Sequence, residues 1–171
     1  ALLRRQRPRH VVLADGVQIR DQRPLPEAAL TGCLVDLTAD QWYAMLNDRV
    51  FFWIDPARVN RQLHACGPRP QVVLTLDTAR LVAAYQAQVA LSPINTGNAR
   101  RRPARRGAAT FVPYAQWVDS GWASEAAALG TSARPRSHAP VELTVAAAIP
   151  DAERYIVNVT PVPTGGHFAQ P

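Results

Sequence analysis

A strand-like run followed at once by a helix start occurs twice in this chain, and this repeat constrains the fold more than any other feature. Residues 49–54 are rich in β-branched and aromatic side chains and too short for a helix, which is typical of a central strand. The Asp55-Pro56 pair then predicts a helix that runs through His64 and ends near Gly67. Residues 71–76 and a helix capped at residue 77 or 78 repeat the step, so sheet and helices should alternate in one α+β domain.

Other local signals add a helix and two more strands. Thr38 and Gln41 have the spacing of a capping box, which predicts a helix over 39–47. Residues 141–145 alternate strictly between apolar and polar side chains, and residues 155–159 do the same. The bend at 149–151 between these runs predicts that they pair as two C-terminal strands.

Length and composition favour one domain over residues 1–162 and a tail at 163–171. The longest apolar run is far shorter than the ~18 residues of a membrane span, so we expect a soluble, cytoplasmic protein with no membrane partner. Cys33 and Cys66 are the only cysteines, and we interpret them as ordinary thiols. His64 and Cys66 alone cannot form a tetrahedral metal site, so no metal is expected.

A basic loop is the clearest feature of the charge distribution. The net charge of +6 creates a field that attracts polyanions. Periodicity is lost from Ser92 to Gly107, where five arginines are predicted to contact the phosphates of a nucleic acid: Arg100, Arg101, Arg102, Arg105 and Arg106. The alternative is a solvated charge run. Residues 95–98 are interpreted first as a turn and second as a ligand contact, and residues 123–139 as a mobile connection.

Two segments carry a resemblance to a known family. The string Pro140-Val141-Glu142-Leu143-Thr144-Val145, followed by Ile149-Pro150 and the run 155–159, resembles the C-terminal strands of the DarT-type ADP-ribosyltransferases. The run from Val50 to Arg58 resembles the aromatic strand and the proline- and arginine-containing element of the same family. The chain is also similar to an uncharacterised bacterial domain family related to these enzymes.

The resemblance implies an ADP-ribosyltransferase-like split β-sheet core flanked by short helices, with NAD as the substrate. It implies that Glu142 is catalytic and that Arg58 binds NAD, with Arg49 as the second arginine to consider. Phe51 and Trp53 are the aromatic candidates for stacking on nicotinamide, whereas Phe52, on the opposite face of the strand, is expected in the core. The chain begins at Ala1 without methionine, so we expect that the family's N-terminal strand is missing.

Several alternatives stay open at this point. Pattern alone favours Glu142 as a solvated glutamate on the polar face of an edge strand, and the arginines as solvated residues at element ends. Three functions are therefore considered: NAD-dependent ADP-ribosyl transfer to a macromolecule such as a nucleic acid, nucleic-acid binding without catalysis, and protein interaction. Neither a phosphate-binding glycine loop nor a dinucleotide fingerprint occurs, which disfavours kinases and dehydrogenases.

Overall fold

The computed structural model describes residues 11–12, 14, 18–19, 26–67, 69–99 and 103–169. The helices in these ranges are α1 (Glu27–Thr31), α2 (Ala39–Asn47), α3 (Pro56–Ala65), α4 (Thr78–Tyr85), α5 (Tyr114–Ser120) and α6 (Ala123–Leu129). The strands are β1 (Val11–Val12), β2 (Gln18–Ile19), β3 (Arg49–Trp53), β4 (Gln71–Leu76), β5 (Val89–Ser92), β6 (Val112–Pro113), β7 (Glu142–Ala146) and β8 (Ile156–Val162). Short 3₁₀ turns at Ala108–Thr110 and Ala152–Tyr155 complete these elements.

The strands form separate antiparallel sheets. The main sheet has four strands in the order β3-β7-β5-β6, β4 pairs with β8, and β1 pairs with β2. Helices connect and cover these sheets, so the predicted α+β class is confirmed.

Local capping explains why the helices start where the sequence predicts. Thr38 accepts a hydrogen bond from the Gln41 amide at 3.3 Å, and the Gln41 side chain accepts one from the Thr38 amide at 2.8 Å. Asp55 caps α3 through the Ala57 amide, and Asp77 caps α4 through the Arg80 amide. Each cap satisfies an amide that the helix itself leaves unpaired.

The predicted pairing of the two C-terminal strands is wrong. Strand β7 lies between β3 and β5, whereas β8 pairs with β4. Residues 142–145 are all buried, so β7 needs cover on both faces and occupies the interior of the larger sheet. Strand β8 alternates between half-buried and exposed positions, which suits a sheet with one open face.

Two hydrophobic clusters cover the two faces of the main sheet. Leu143 and Val145 pack with Leu81 and Trp122 on one face. On the other face Ala90 belongs to a cluster with Leu30, Cys33, Trp42, Ala99 and Phe111. Glu142 and Thr144 alternate with the apolar residues of β7, so they point to this second face and are enclosed there rather than solvated.

The segment 123–139, predicted as a mobile connection, begins with helix α6. This helix ends at Gly130, which adopts the left-handed conformation with φ of 61° that glycine accepts without strain. The remainder is held in part by a buried ion pair, in which Arg134 Nη1 lies 2.7 Å from the Glu125 carboxylate. The segment is therefore an ordered part of the domain.

The C-terminal residues also differ from the predicted tail. Phe168 is buried and packs with Leu63 and Val162. Asn60 fixes its backbone, donating to the Phe168 carbonyl at 2.8 Å and accepting from the Phe168 amide at 2.7 Å. The described part of 163–171 is thus docked on α3. None of the helices in the described ranges has the length and hydropathy needed to cross a membrane.

Candidate active site

Glu142 is the first residue of β7 and lies at the end of the main sheet. It stands directly opposite Trp53 on β3 and Ser92 on β5. Directly opposed residues of antiparallel strands share a face, so the three side chains project to the same side. Glu142 is only 4% exposed, and a carboxylate at such a position requires hydrogen-bond partners.

Thr96 supplies these partners. Its hydroxyl donates to Glu142 Oε2 at 2.8 Å, and its amide lies 3.2 Å and 3.3 Å from the two carboxylate oxygens. Thr96 follows β5 in a turn that starts at Ser92, whose hydroxyl accepts from the Ile94 amide at 3.2 Å. This turn brings a residue 46 positions away in sequence onto the glutamate, and Thr96 itself is 1% exposed.

Burial raises the pKa of Glu142 from 4.5 to about 7. The hydrogen bonds from Thr96 and the positive charges of Arg58 and Arg106 act in the opposite direction, because they favour the ionised form. A carboxyl group with a pKa near neutrality can exist in either form under physiological conditions. Such a group is suited to exchange protons or to respond to the charge of a ligand.

Glu142 borders a cleft with two lobes. The carboxylate lobe has a volume of about 310 Å³ and is lined by Glu142, the strand residues 51–53, Leu46, Gln62 and the turn residues 95–97. The arginine lobe, also of about 310 Å³, is lined by Arg58, Arg61, Ala65 and Asn98. The lobes share Trp53, Gln62, Asn95 and Gly97, so they adjoin and together offer space typical of small-molecule sites.

The aromatic strand contributes one wall of the carboxylate lobe. Phe51 stands opposite Thr144 and Trp53 opposite Glu142, which places both on the face of the carboxylate. Phe51 is 37% exposed, as expected for a ring beside an open cleft. Phe52 packs against the cluster on the opposite face, in agreement with the prediction that it belongs to the core.

Arg58 lies in the first turn of α3, where the Asp55 cap and Pro56 fix the start of the helix. Its Nε lies 3.8 Å from Asp55 Oδ2, and its side chain is 30% exposed. Arg61, one turn further on, lines the same lobe. Glu142 and Arg58 thus border adjoining lobes, as the sequence-based hypothesis requires, with a second arginine that the sequence did not single out.

Arg49 has a different environment. Its guanidinium carbon lies 4.3 Å from the centre of the Phe111 ring, and Nη1 lies 3.4 Å from Thr144 Oγ1. Burial lowers the pKa of this guanidinium. Arg49 does not line the cleft formed by the described residues, so the structure gives it a packing role on Phe111 instead of the cofactor contact expected for it.

The arginine loop is described only in part, because Arg100, Arg101 and Arg102 lie outside the described residues. Arg105 is exposed, as a residue that contacts phosphates must be. Arg106 is 1% exposed, and its guanidinium bonds the carbonyls of Ala104 and Thr96. The expectation of an exposed, phosphate-binding Arg106 is corrected, because its donors are directed into the protein.

Sequence patterns indicated some of the cleft residues and missed others. The sequence around Thr96 indicates a turn but does not show that this turn provides the hydrogen-bond donors to Glu142. Gln62 lines both lobes. Nothing in the sequence indicates this role except that Gln62 follows Arg58 by four residues on a predicted helix, where residues i and i+4 share a face. That spacing, with Arg61 at i+3, was the one available indication of a functional α3 face.

The fold and the cleft define an α+β domain whose central strand presents a buried glutamate to a ligand-sized cleft. The chain belongs to the family described as "Family of unknown function (DUF7002)", whose model matches residues 1–156. No curated protein and no solved structure matches the chain. The matched range includes Glu142, the cleft and both of its arginines. Among the described residues, no group of three or more His, Cys, Asp or Glu side chains could hold a metal ion.

Proposed function

We propose that this domain binds NAD⁺ and transfers the ADP-ribose group to a macromolecular acceptor, with Glu142 as the catalytic residue. The observation that supports this most is a buried carboxylate beside aromatic rings at one end of a cleft whose other end carries Arg58 and Arg61. Nicotinamide and its ribose suit the carboxylate lobe. The pyrophosphate suits the arginine lobe, because guanidinium groups bind phosphate oxygens through paired hydrogen bonds.

In this reaction the bond between the nicotinamide nitrogen and ribose C1′ breaks, and its electron pair leaves with nicotinamide, which becomes neutral. The sugar carries positive charge until an electron pair of the acceptor forms the new bond at C1′ and the acceptor loses a proton. An ionised Glu142 stabilises the cationic sugar more than the bound substrate, which is the condition for catalysis. The nicotinamide cation itself favours ionisation of Glu142 on binding.

Release of nicotinamide from NAD⁺, followed by chromatography, tests the proposal without knowledge of the acceptor, since water can take its place. Glu142→Gln keeps the shape of the side chain and removes the charge, so we expect at least a ~100-fold loss of kcat. Glu153→Gln, a change at an exposed glutamate, is the matched control and should leave the rate unchanged. Equal rates for wild type and Glu142→Gln would contradict the proposal.

Substrate binding provides a test that is independent of turnover. NAD⁺ carries a positive nicotinamide ring and NADH a neutral one, so NAD⁺ should raise the melting temperature of the wild type more than NADH does. This difference should disappear in Glu142→Gln, because the negative charge that distinguishes the two ligands is gone. Arg58→Met should weaken both ligands alike, and Arg80→Met, at an exposed position on α4, should weaken neither.

Nucleic-acid binding is the second candidate, either as recognition of the acceptor or as the function of a domain without catalysis. The net charge of +6 and the exposed Arg105 support it. Binding of a fluorescent oligonucleotide should then weaken steeply with salt, and removing the charges of Arg100, Arg101, Arg102 and Arg105 should flatten that dependence. Affinity that does not change with salt would contradict this function. Under either proposed function, we expect the protein to act in the cytoplasm.

A further inference from the structure

The described residues next to the cleft include a buried arginine to which the reaction above gives no role. Arg106 is 1% exposed, and its backbone is fixed on both sides by the loop after α1. The Arg106 amide donates to the Cys33 carbonyl, and the Val35 amide donates to the Arg106 carbonyl, each at 2.8 Å. Gly107 allows this approach, because a Cβ there would lie 2.7 Å from the Val35 carbonyl oxygen.

The guanidinium of Arg106 points from this anchor towards the turn that holds the catalytic glutamate. Nη1 donates to the Thr96 carbonyl and Nε to the Ala104 carbonyl, each at 3.1 Å. Thr96 in turn donates both its amide and its hydroxyl to Glu142. Arg106 and Glu142 therefore both bond Thr96, Arg106 through its carbonyl and Glu142 through its amide and hydroxyl.

The charges that face Glu142 come from two directions. Arg58 acts from α3, across the cleft, and Arg106 acts from behind the Thr96 turn. Arg106 is also adjacent to the Cys33 thiol, and its guanidinium carbon lies 5.9 Å from the centre of the Trp42 ring. Burial of a guanidinium is costly, and the interactions with the Thr96 turn and Glu142 offset part of that cost.

We propose that Arg106 is a positioning residue that holds the Thr96 turn against Glu142 and thereby sets the geometry and ionisation of the catalytic carboxylate. The role rests on the proposed function for its consequence in catalysis, although its effect on the carboxylate exists without substrate. Loss of Arg106 removes a nearby positive charge and the hydrogen bond to the Thr96 carbonyl, so the turn no longer holds the Thr96 amide and hydroxyl on the carboxylate. Both changes disfavour the ionised form of Glu142.

The carboxylate can be followed directly by carbon-13 NMR of glutamate-labelled protein, with Glu142→Gln to assign the signal. Arg106→Met should raise the pKa of Glu142 by about one unit, and Arg105→Met, an exposed neighbour, should leave it unchanged. If Arg106→Met does not fold, Arg106→Lys is used instead, because it keeps the charge but replaces the planar guanidinium, whose Nη1 and Nε each bond one carbonyl, with a single ammonium nitrogen. Its Glu142 pKa should rise by a smaller amount. A wild-type pKa in the folded variant would overturn the proposal.

The rate of nicotinamide release separates positioning from a merely structural role. A pKa one unit higher lowers the ionised fraction at pH 7 about fivefold, so kcat/KM should fall about fivefold at pH 7 and recover above pH 9. A variant that only destabilises the fold would not recover with pH. If Arg106→Met raises the Glu142 pKa while wild type releases no nicotinamide, the positioning contact stands and the proposed reaction fails. If wild type is active and the variant changes neither quantity, the positioning role fails alone.

Discussion

Glu142→Gln should stabilise the folded domain, and the gain should grow with pH. The folded-state pKa of Glu142, about 7, lies above the ordinary value of 4.5, so the folded protein binds this proton more tightly than the unfolded chain does. The stability contributed by the proton is fully present below pH 4.5 and is lost as pH rises through 7. Glutamine does not titrate and avoids this loss, while its carbonyl oxygen can still accept the Thr96 hydrogen bonds.

The size of the effect follows from the two pKa values. Each pKa unit corresponds to about 1.4 kcal/mol, so an increase from 4.5 to about 7 corresponds to roughly 3 kcal/mol at pH 8 or above. Between about pH 5 and about pH 8 the advantage of the glutamine variant should grow by about 2–3 kcal/mol. This is a large fraction of the ~5–15 kcal/mol by which domains are stable.

Urea unfolding followed by tryptophan fluorescence can measure this difference, because Trp42 and Trp122 are fully buried and report on loss of the core. The free energies of unfolding of wild type and variant are compared at several pH values in that range. The comparison cancels every other titrating group that the substitution leaves unchanged. Equal slopes of free energy against urea would show that both proteins expose the same surface on unfolding.

Glu153→Gln is the control, since it makes the same change at an exposed position and should alter the free energy of unfolding by less than about 0.5 kcal/mol. A difference between wild type and Glu142→Gln that stays constant from pH 5 to pH 8 would refute the reasoning. Glu142 would then ionise in the folded protein as readily as in the unfolded chain. The pH dependence expected for nicotinamide release, which rests on the same pKa, would have to be abandoned as well.

Three further substitutions test the packing around the site. Arg134→Met leaves Glu125, which is 1% exposed, without its ion pair; we expect a loss of about 3 kcal/mol at pH 8 and less at pH 5, and a pH-independent loss in urea unfolding would contradict this. Gly107→Ala places a Cβ 2.7 Å from the Val35 carbonyl oxygen, so the melting temperature should fall by several degrees, corresponding to about 1–3 kcal/mol. Phe168→Ala should cost about 3 kcal/mol if the C-terminal residues are docked, and a change below about 0.5 kcal/mol would show that they are not.

Local signals predicted the elements that they alone determine. The caps at Thr38, Asp55 and Asp77 gave the starts of α2, α3 and α4, because each cap acts within three residues of itself. Helix α6 was missed although Ala123–Leu129 consists mainly of good helix formers and ends at a glycine. Small side chains give no amphipathic pattern, and the prediction of a mobile connection rests on that absence.

Strand pairing and the donors to Glu142 depend on contacts distant in sequence. The alternation of β7 was predicted correctly, but alternation does not reveal which strands pair with its two edges. Strand β5, one of these partners, follows closely after α4 and was not predicted. The aromatic strand and Glu142 were expected in one site through the resemblance, and their pairing across β3 and β7 brings Trp53 opposite Glu142. No local pattern connects Thr96 or Arg106 to a glutamate more than thirty residues further on, so their roles required the fold.

The two buried glutamates of the described structure have different hydrogen-bond partners, and this difference bears on function. Glu125 is paired with Arg134 at 2.7 Å, the usual solution for a carboxylate that serves the fold. Glu142 is held by an uncharged threonine, while Arg58 lies across the cleft and Arg106 reaches it through the Thr96 turn. A glutamine would satisfy the same threonine without the cost of a charge, so packing does not explain why position 142 is acidic. A cationic group in the carboxylate lobe would explain it, because such a ligand would form the direct ion pair with Glu142 that none of the described side chains forms.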